Sequence, residues 1–112
     1  MKIISLKDAP RTKNPHNVQA CKVYDTENAI VVHMTLEPGE KLKRHKTPVD
    51  VFFVILEGKP SIEVGDEKIQ VEKDQLIESP ANIVHCIYNE TDEPARILVV
   101  KVPKPSSKTK II

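Results

Sequence analysis

The chain is poor in the residues that mark several protein classes, since its 112 residues include two cysteines, three glycines and no tryptophan. Two cysteines are too few for the disulfide framework of a small secreted protein. The longest apolar run, Val51 to Leu56, is far too short to span a bilayer, and the first residues lack the apolar stretch of a signal peptide. We therefore expect a cytoplasmic protein with no membrane partner.

A bias of charge is also missing, because 17 lysines and arginines are matched by 16 aspartates and glutamates. This balance gives no general attraction to nucleic acids or membrane surfaces. The sequence contains no phosphate-binding glycine loop, Cys-x-x-Cys pair, nucleophile elbow or basic-aromatic stripe. We therefore expect no nucleic-acid partner, and these patterns assign no cofactor-binding residue and no catalytic residue.

The sequence is rich in patterns that predict β-strands. Runs of β-branched and apolar residues recur along the chain with turn residues between them, and no segment shows a sustained helical period with caps. Such a succession of short strands is typical of an all-β sandwich or barrel. The predicted strands are 18–24, 29–36, 51–56, 61–65, 68–72, 75–78, 83–88 and 95–102.

The length of the chain allows one domain with one hydrophobic core. We place a single barrel at residues 18–102, preceded by an N-terminal arm at residues 1–17. Residues 103–112 form a basic tail that we expect to be frayed, as chain ends commonly are. His16 falls in the arm, and we expect its ring to be solvated.

Two segments carry the functional information, and each contains one histidine in a recognisable frame. The first, PGEKLKRHKTPVDVFFVILEG, covers residues 38–58, and the second, DQLIESPANIVHCIYN, covers residues 74–89. Together they resemble the paired motifs of the cupin superfamily, whose histidines usually hold a metal. The resemblance implies a cupin-type antiparallel β-barrel, also called a double-stranded β-helix or jelly roll. It also implies a homodimer, in which an N-terminal strand is often exchanged.

The first motif keeps the cupin frame but only part of its ligands. The family pattern begins with a glycine, continues with His-x-His and a glutamate, and closes with a second glycine. Gly39, His45 and Gly58 match this pattern at the right spacing. The positions of the second histidine and the glutamate hold Thr47 and Val51. A threonine hydroxyl is a poor metal ligand and valine cannot ligate, so half of the metal pattern is missing.

The second motif is better preserved. Asp74 takes the place of its first glycine, Pro80 matches, and Asn82 replaces the next glycine. The histidine and asparagine that end the pattern are His85 and Asn89. Because asparagine is among the best substitutes for glycine where φ is positive, Asn82 is expected to preserve the turn.

His45 and His85 are the candidate ligands of a divalent transition metal such as Zn, Ni, Fe, Mn or Cu. Catalytic metal sites usually have at least three protein ligands. A shifted alignment makes Asp50 the missing carboxylate, but it needs a bulge before Gly58, and regular strand alternation turns Asp50 away from the cavity. His33 is the other candidate, with a hydrogen-bonded histidine in the barrel wall as its alternative.

Strand alternation predicts a mostly apolar pocket around the two histidines. Its candidate lining residues are Thr47, Val51, Phe53, Ile87 and Asn89. The same alternation turns Cys86 away from His85, as an ordinary packed thiol. An apolar pocket with a few convergent polar groups is typical of a small-molecule site.

These features predict a small cupin that binds a small molecule, a weakly held divalent metal, or both. The alternative is a metal-dependent enzyme of the dioxygenase, isomerase or decarboxylase type, which uses His45, His85 and a further ligand. A third hypothesis is a structural or regulatory protein that acts through its sheet faces or its basic tail. The valine at position 51 favours the binding protein over the enzyme.

Overall fold

The computed structural model describes residues 1–107 and 109–112. These residues form one 3₁₀ turn, Leu6–Asp8, and ten β-strands, which confirms the all-β prediction. In chain order the strands are β1 (Gln19–Asp25), β2 (Ile30–Leu36), β3 (His45–Lys46), β4 (Asp50–Glu57), β5 (Ser61–Val64), β6 (Glu67–Gln70), β7 (Leu76–Ser79), β8 (His85–Tyr88), β9 (Ala95–Val102) and β10 (Lys110–Ile111). No helix among the described residues is long and apolar enough to cross a membrane.

The strands form two five-stranded sheets whose inner faces share one apolar core. The first sheet has the order β1-β2-β9-β4-β7, and the second has the order β10-β3-β8-β5-β6. Neighbouring strands pair antiparallel in both sheets. This is the jelly-roll arrangement that the paired motifs predict.

Strand alternation places the core side chains, as the pattern of β-branched residues predicts. On the first sheet Phe53 stands opposite Val99, and Ile55 stands opposite Ile97. All four side chains are buried, and Ile87 on β8 meets them from the second sheet. Burying a side chain of this size contributes about 1.5–3 kcal/mol, so these strands hold the barrel together.

The motif turns need left-handed backbone. Gly58 has φ +82°, and a Cβ atom there would lie 2.5 Å from the carbonyl oxygen of Pro94, so only glycine fits. Asn82 adopts φ 63° and Asp74 adopts φ 73°. Asparagine and aspartate are the residues that tolerate this region best after glycine. The expectation that Asn82 preserves the turn is confirmed.

The end of the C-terminal tail is a strand, so the expectation of a frayed tail is wrong. β10 pairs with β3, with Lys110 opposite Lys46 and Ile111 opposite His45. The physical reason is that β3 would otherwise be an open sheet edge, whose backbone groups are a template for pairing. The tail therefore closes the second sheet beside one of the motif histidines.

The N-terminal arm also docks on the barrel. Thr12 donates its backbone N–H to the carbonyl of Ala20 at 2.6 Å, and its hydroxyl accepts from the N–H of Lys22 at 3.3 Å. Further along, Nδ1 of His16 accepts a hydrogen bond from the backbone N–H of Lys43 at 2.9 Å. His16 is half-buried. The expectation that its ring is solvated is therefore wrong.

Candidate functional site

The structure places the two motif histidines side by side. His45 on β3 and His85 on β8 are direct cross-strand partners in an antiparallel pair. Their ring centroids lie 4.4 Å apart at an interplanar angle of 76°. Both side chains are buried and face the interior between the sheets. The pairing of β3 with β8 is thus what joins the two halves of the sequence pattern in space.

His85 forms the floor of the site, and both of its ring nitrogens have protein partners. Its Nδ1 lies 2.7 Å from Oγ of Ser79, and its Nε2 lies 3.4 Å from Oγ1 of Thr47. The ring of Phe53 packs edge-on against it, with centroids 5.4 Å apart. All four side chains are buried. His85 is therefore fixed by contacts to both sheets.

Burial lowers the pKa of His85 to about 3, and positive charge on His45, Lys101 and His16 adds to the effect. A cation at this position would lose its hydration without gaining a carboxylate partner. His85 is therefore a neutral imidazole across the physiological range. It serves as a hydrogen-bonding group rather than a charge.

His45 differs from His85 because only one of its ring nitrogens is engaged. Its Nδ1 lies 2.6 Å from the carbonyl oxygen of Lys43, so Nδ1 carries the proton and donates. Its Nε2 then bears a lone pair and has no hydrogen-bond partner among the described residues. Since no buried side-chain nitrogen or oxygen of those residues lacks a partner, Nε2 keeps some accessible surface, and His45 is among the residues that line a cavity. Burial lowers the pKa of His45.

His16 adds a third imidazole that the sequence motifs do not predict. Its ring centroid lies 4.5 Å from that of His45. The side chain of Asn14 orients this part of the arm, since its Oδ1 accepts from the N–H of His16 at 3.1 Å and its Nδ2 donates to the carbonyl of Val18 at 2.8 Å. Burial, followed by the nearby charge of His45, Lys43 and Lys101, lowers the pKa of His16 to about 4. Its Nδ1 accepts from the backbone, so its Nε2 carries the proton.

Lys101 is the second residue that the sequence motifs miss. It lies near the end of β9 and shares the inward face with Ile97 and Val99, four and two residues earlier. Its Nζ donates to Oγ1 of Thr109 at 3.3 Å, and no carboxylate of the described residues lies within ion-pair distance of it. Burial, followed by the charge of Lys22, lowers the pKa of its ammonium. Strand alternation in residues 95–102, ARILVVKV, would have placed Lys101 on the inward face of the sheet.

His16, His45 and Lys101 line a cavity of about 140 Å³ at the mouth of the barrel. Its walls are mainly apolar, and Phe53 and Val99 belong to them. Its polar lining residues come from the arm, β3, β9 and the tail, namely Asn14, His16, His45, Lys101 and Thr109. No aspartate or glutamate of the described residues lines it. A larger groove of about 510 Å³ around Gly58 lies on the surface, lined by neither of the motif histidines.

The predicted pocket residues separate into two groups. Phe53 lines the cavity, and Thr47 is bonded to His85 beneath it. Val51 and Ile87 are buried in the hydrophobic core and do not line the cavity. The prediction that Asn89 lines the pocket is wrong. Its amide nitrogen donates to the carbonyls of Leu36 and Glu93, and its Oδ1 accepts from Thr91, so the side chain stabilises a turn.

Neither candidate for a third metal ligand reaches the histidine pair. Oδ1 of Asp50 accepts from the N–H of Ala81 at 2.9 Å, and the residue is exposed, so the shifted alignment is wrong. His33 lies on the opposite face of β2 from the core residue Met34, and its Nε2 accepts from Nε of Arg96 at 3.1 Å. It is the wall histidine of the alternative interpretation. Regular strand alternation explains both outcomes.

Cys86 turns away from His85, as alternation predicts. It is fully buried, and its thiol donates to the carbonyl of Leu42 at 3.3 Å. Burial raises the pKa of this thiol. A buried thiol with a raised pKa is a poor nucleophile, so Cys86 is a packing residue.

The match to a family agrees with this fold. Residues 32–101, which are more than half of the chain, match the cupin domain. The chain belongs to the cupin family. The matched segment contains both motif histidines and Lys101, whereas His16 and Thr109 lie outside it.

This cupin is similar to several solved structures. The protein TT1209 from Thermus thermophilus superposes with a TM-score of 0.82 and 31% identity, over 94% of this chain and 100% of that one. An uncharacterized protein of Methanocaldococcus jannaschii is 26% identical over 85 residues, which are 75% of this chain and 73% of the relative. The polyketide cyclase RemF from Streptomyces resistomycificus superposes with a TM-score of 0.85 at 16% identity, over 100% of this chain and 85% of that one. The likeness to RemF shows the fold alone.

The residues of this cupin do not fit a catalytic metal. The histidine pair supplies two imidazoles, and the other two ligand positions of the motif hold Thr47 and Val51. The third imidazole, His16, has its Nδ1 engaged by the backbone N–H of Lys43. Among the residues that the structure describes, no group of three or more histidine, cysteine, aspartate or glutamate side chains is arranged to hold a metal ion. The ammonium of Lys101 faces the same cavity and would repel a cation. This donor set supports at most weak binding.

Proposed function

We propose that this cupin binds a small, partly apolar molecule in the cavity at the barrel mouth. The observation that carries the proposal is a cavity with mainly apolar walls, lined by His45, whose Nε2 has no hydrogen-bond partner among the described residues. A few polar groups on a mainly apolar wall orient a small ligand. His85 supports this geometry from below because its own ring is held on both sides.

The cavity volume limits the size of the ligand. An apolar cavity of roughly 150 Å³ holds a molecule the size of benzene, and this cavity measures about 140 Å³. A ring of that size would contact Phe53, Val32 and Val99, which belong to the lining. We therefore infer a ligand with one small ring or a short branched chain.

A binding role is better supported than catalysis. No carboxylate of the described residues lines the cavity, and the imidazoles of His16 and His85 are held neutral by burial, so no matched acid and base face a common ligand. The likeness to a polyketide cyclase is too distant in sequence to transfer an activity.

The test uses benzyl alcohol, whose ring fits the cavity and whose hydroxyl can donate to His45. Isothermal titration calorimetry on the wild type should show saturable one-to-one binding. Val32→Phe places a ring in the cavity and should abolish binding, whereas Val31→Phe, on the opposite face of the same strand, should retain it. Circular dichroism checks that both variants fold.

The proposal is contradicted if neither benzyl alcohol nor benzoate binds the wild type, or if a folded Val32→Phe variant binds benzyl alcohol as well as the wild type does. His45→Ala gives an independent check, because it keeps the apolar walls and removes the acceptor. It should weaken binding by about tenfold, the loss expected for one hydrogen bond.

A weakly held divalent metal is the second candidate, favoured by the 4.4 Å spacing of the two motif rings. Elemental analysis of protein purified without chelator, repeated on His45→Ala and His85→Ala, tests it. We expect far less than one metal per chain. Near-stoichiometric metal that both substitutions remove would favour the metal-dependent enzyme instead.

The same proposal includes a cytoplasmic homodimer. Two unpaired buried thiols agree with a reducing compartment. The outer face of the first sheet exposes apolar side chains, with Leu76 57% exposed and Val102 41% exposed, which favours a second copy as partner. Sedimentation equilibrium at micromolar concentration should give twice the mass of the chain, and a monomeric mass would contradict the dimer.

A further inference from the structure

The ionisable residues on the cavity lining are all basic. His16, His45 and Lys101 line it, and no acidic residue of the described chain does. His85 lies directly beneath, in contact with His45. Burial, followed by the positive charge of neighbouring basic groups, lowers the pKa of His16 to about 4 and of His85 to about 3. The imidazoles of His16 and His85 are neutral at physiological pH, so the ammonium of Lys101 is the group that attracts negative charge and repels cations.

Lys101 is the most unusual of these residues. Lys101 is half-buried, and its Nζ has only the neutral hydroxyl of Thr109 as its hydrogen-bond partner in the described part of the chain, at 3.3 Å. An ammonium has three donors, so two of them are available. Lys22 adds positive charge nearby, and it lies 3.6 Å from the carboxylate of Asp25 in an ion pair of its own.

His16 supplies a further donor. Its Nδ1 accepts from the backbone of Lys43, which leaves the N–H on Nε2 of a ring that lines the same cavity. The apolar walls, with Phe53 and Val99, lie beside these donors. Charge-assisted donors beside an apolar wall match a molecule with one anionic group and one apolar body.

We propose that the ligand is a small organic acid, whose carboxylate is bound by Nζ of Lys101 and the ring N–H of His16 while its apolar body packs on Phe53 and Val99. This inference rests on the proposed function of the cavity and specifies the chemical class of its ligand. Lys101 is the residue that determines specificity for the acid over a neutral molecule of the same shape. Thr109 holds the ammonium in place.

The experiment compares benzoate with benzyl alcohol by calorimetry at neutral pH and low salt. The two probes have the same ring, and only benzoate carries a charge. The wild type should bind benzoate at least about tenfold more tightly, the ratio that one charge-assisted hydrogen bond supplies. Lys101→Met keeps the length of the side chain and removes its charge, so the ratio of benzoate affinity to benzyl alcohol affinity should fall to about one.

Lys73→Met is the matched control, because it removes one positive charge from an exposed position away from the cavity. It should leave both affinities unchanged. Lys101→Arg keeps the charge and should keep the preference for benzoate. If Lys101→Met does not fold, Lys101→Gln replaces it with a polar side chain of similar size.

The outcomes separate the two proposals. Equal affinity of the wild type for both probes would overturn the organic-acid inference and leave the binding function intact. A preference for benzoate that survives loss of the Lys101 charge would also overturn the inference, because the anion would then bind elsewhere. Failure of both probes to bind would overturn both proposals.

Discussion

The floor and the mouth of the barrel use the same residue type in opposite ways. At the floor, both ring nitrogens of His85 are bonded to protein groups, and the ring is packed by Phe53. At the mouth, His45 and Lys101 each retain hydrogen-bonding capacity that no described residue uses. The number of protein partners, and not the residue type, therefore separates a structural imidazole from a binding one.

The two regions also differ in how the chain builds them. The floor is made from residues of β4, β7 and β8 together with Thr47, and its strands are held by the pairing of β4 with β7 and of β5 with β8. The mouth takes His16 from the docked arm and Thr109 from the tail that ends in β10. Few hydrogen bonds hold these flanks, so the mouth is expected to open at lower free energy than the floor.

The largest expected effect is at the floor. Phe53→Ala should lower the free energy of unfolding by about 3–5 kcal/mol, because it removes a fully packed ring and leaves a cavity. Lys101→Met, at the mouth, should change it by less than about 1 kcal/mol. Urea unfolding followed by circular dichroism measures both. An equal loss of unfolding free energy in the two variants would contradict the proposed difference between floor and mouth.

A smaller loss is expected for the floor histidine. His85→Ala leaves the buried hydroxyl of Ser79 without its partner, and this should cost about 1–3 kcal/mol. His16→Ala removes a half-buried ring at the mouth and should cost less than about 1 kcal/mol. The same urea experiment compares them. A larger loss for His16→Ala would show that the arm contributes more stability than the floor.

The last expected effect is on the pH dependence of stability. The ordinary histidine pKa is 6.5, and folding lowers it to about 4 in His16 and about 3 in His85. Between these values the unfolded chain binds more protons than the folded chain, so stability should fall as pH falls from 6.5 toward 4.

The free energy of unfolding should be measured between about pH 7 and pH 4, because that window spans the ordinary and the lowered histidine pKa. Its slope against pH tests the expected loss of stability. His16→Gln removes one of the titrating groups and should reduce the slope, while His85 still contributes. Carboxylates titrate in the lower part of the range in both proteins, so their contribution cancels in the difference. A slope that does not differ between the variant and the wild type would contradict the depressed pKa of His16.

Local pattern was enough to predict the barrel and the floor residues His85, Thr47 and Phe53, but not Ser79. The spacing of Gly39, His45 and Gly58 identified the fold, because those glycines mark turns that few other residues can adopt. Strand alternation correctly oriented Phe53 and Cys86. These features depend on neighbours a few residues away, which a sequence shows directly.

The mouth depends on contacts between distant segments, and most of it could not be read from local pattern. His16 reaches the site only because the arm docks on the backbone of Lys43, and Thr109 arrives with a tail strand of two residues. The prediction that Asn89 lines the pocket was wrong for a related reason, because its side-chain amide is hydrogen-bonded in the turn that contains Thr91 and Glu93. Lys101 alone was within reach of the alternation rule.

The most direct test of this account is histidine ring NMR during a benzoate titration. We predict that the ring Cε1–H signals of His16 and His45 shift progressively with benzoate. The signal of His85 should stay nearly unchanged, because its ring is fixed by Ser79 and Thr47. Shifts confined to His85, or the absence of any histidine shift at saturating benzoate, would contradict the assignment of binding to the mouth.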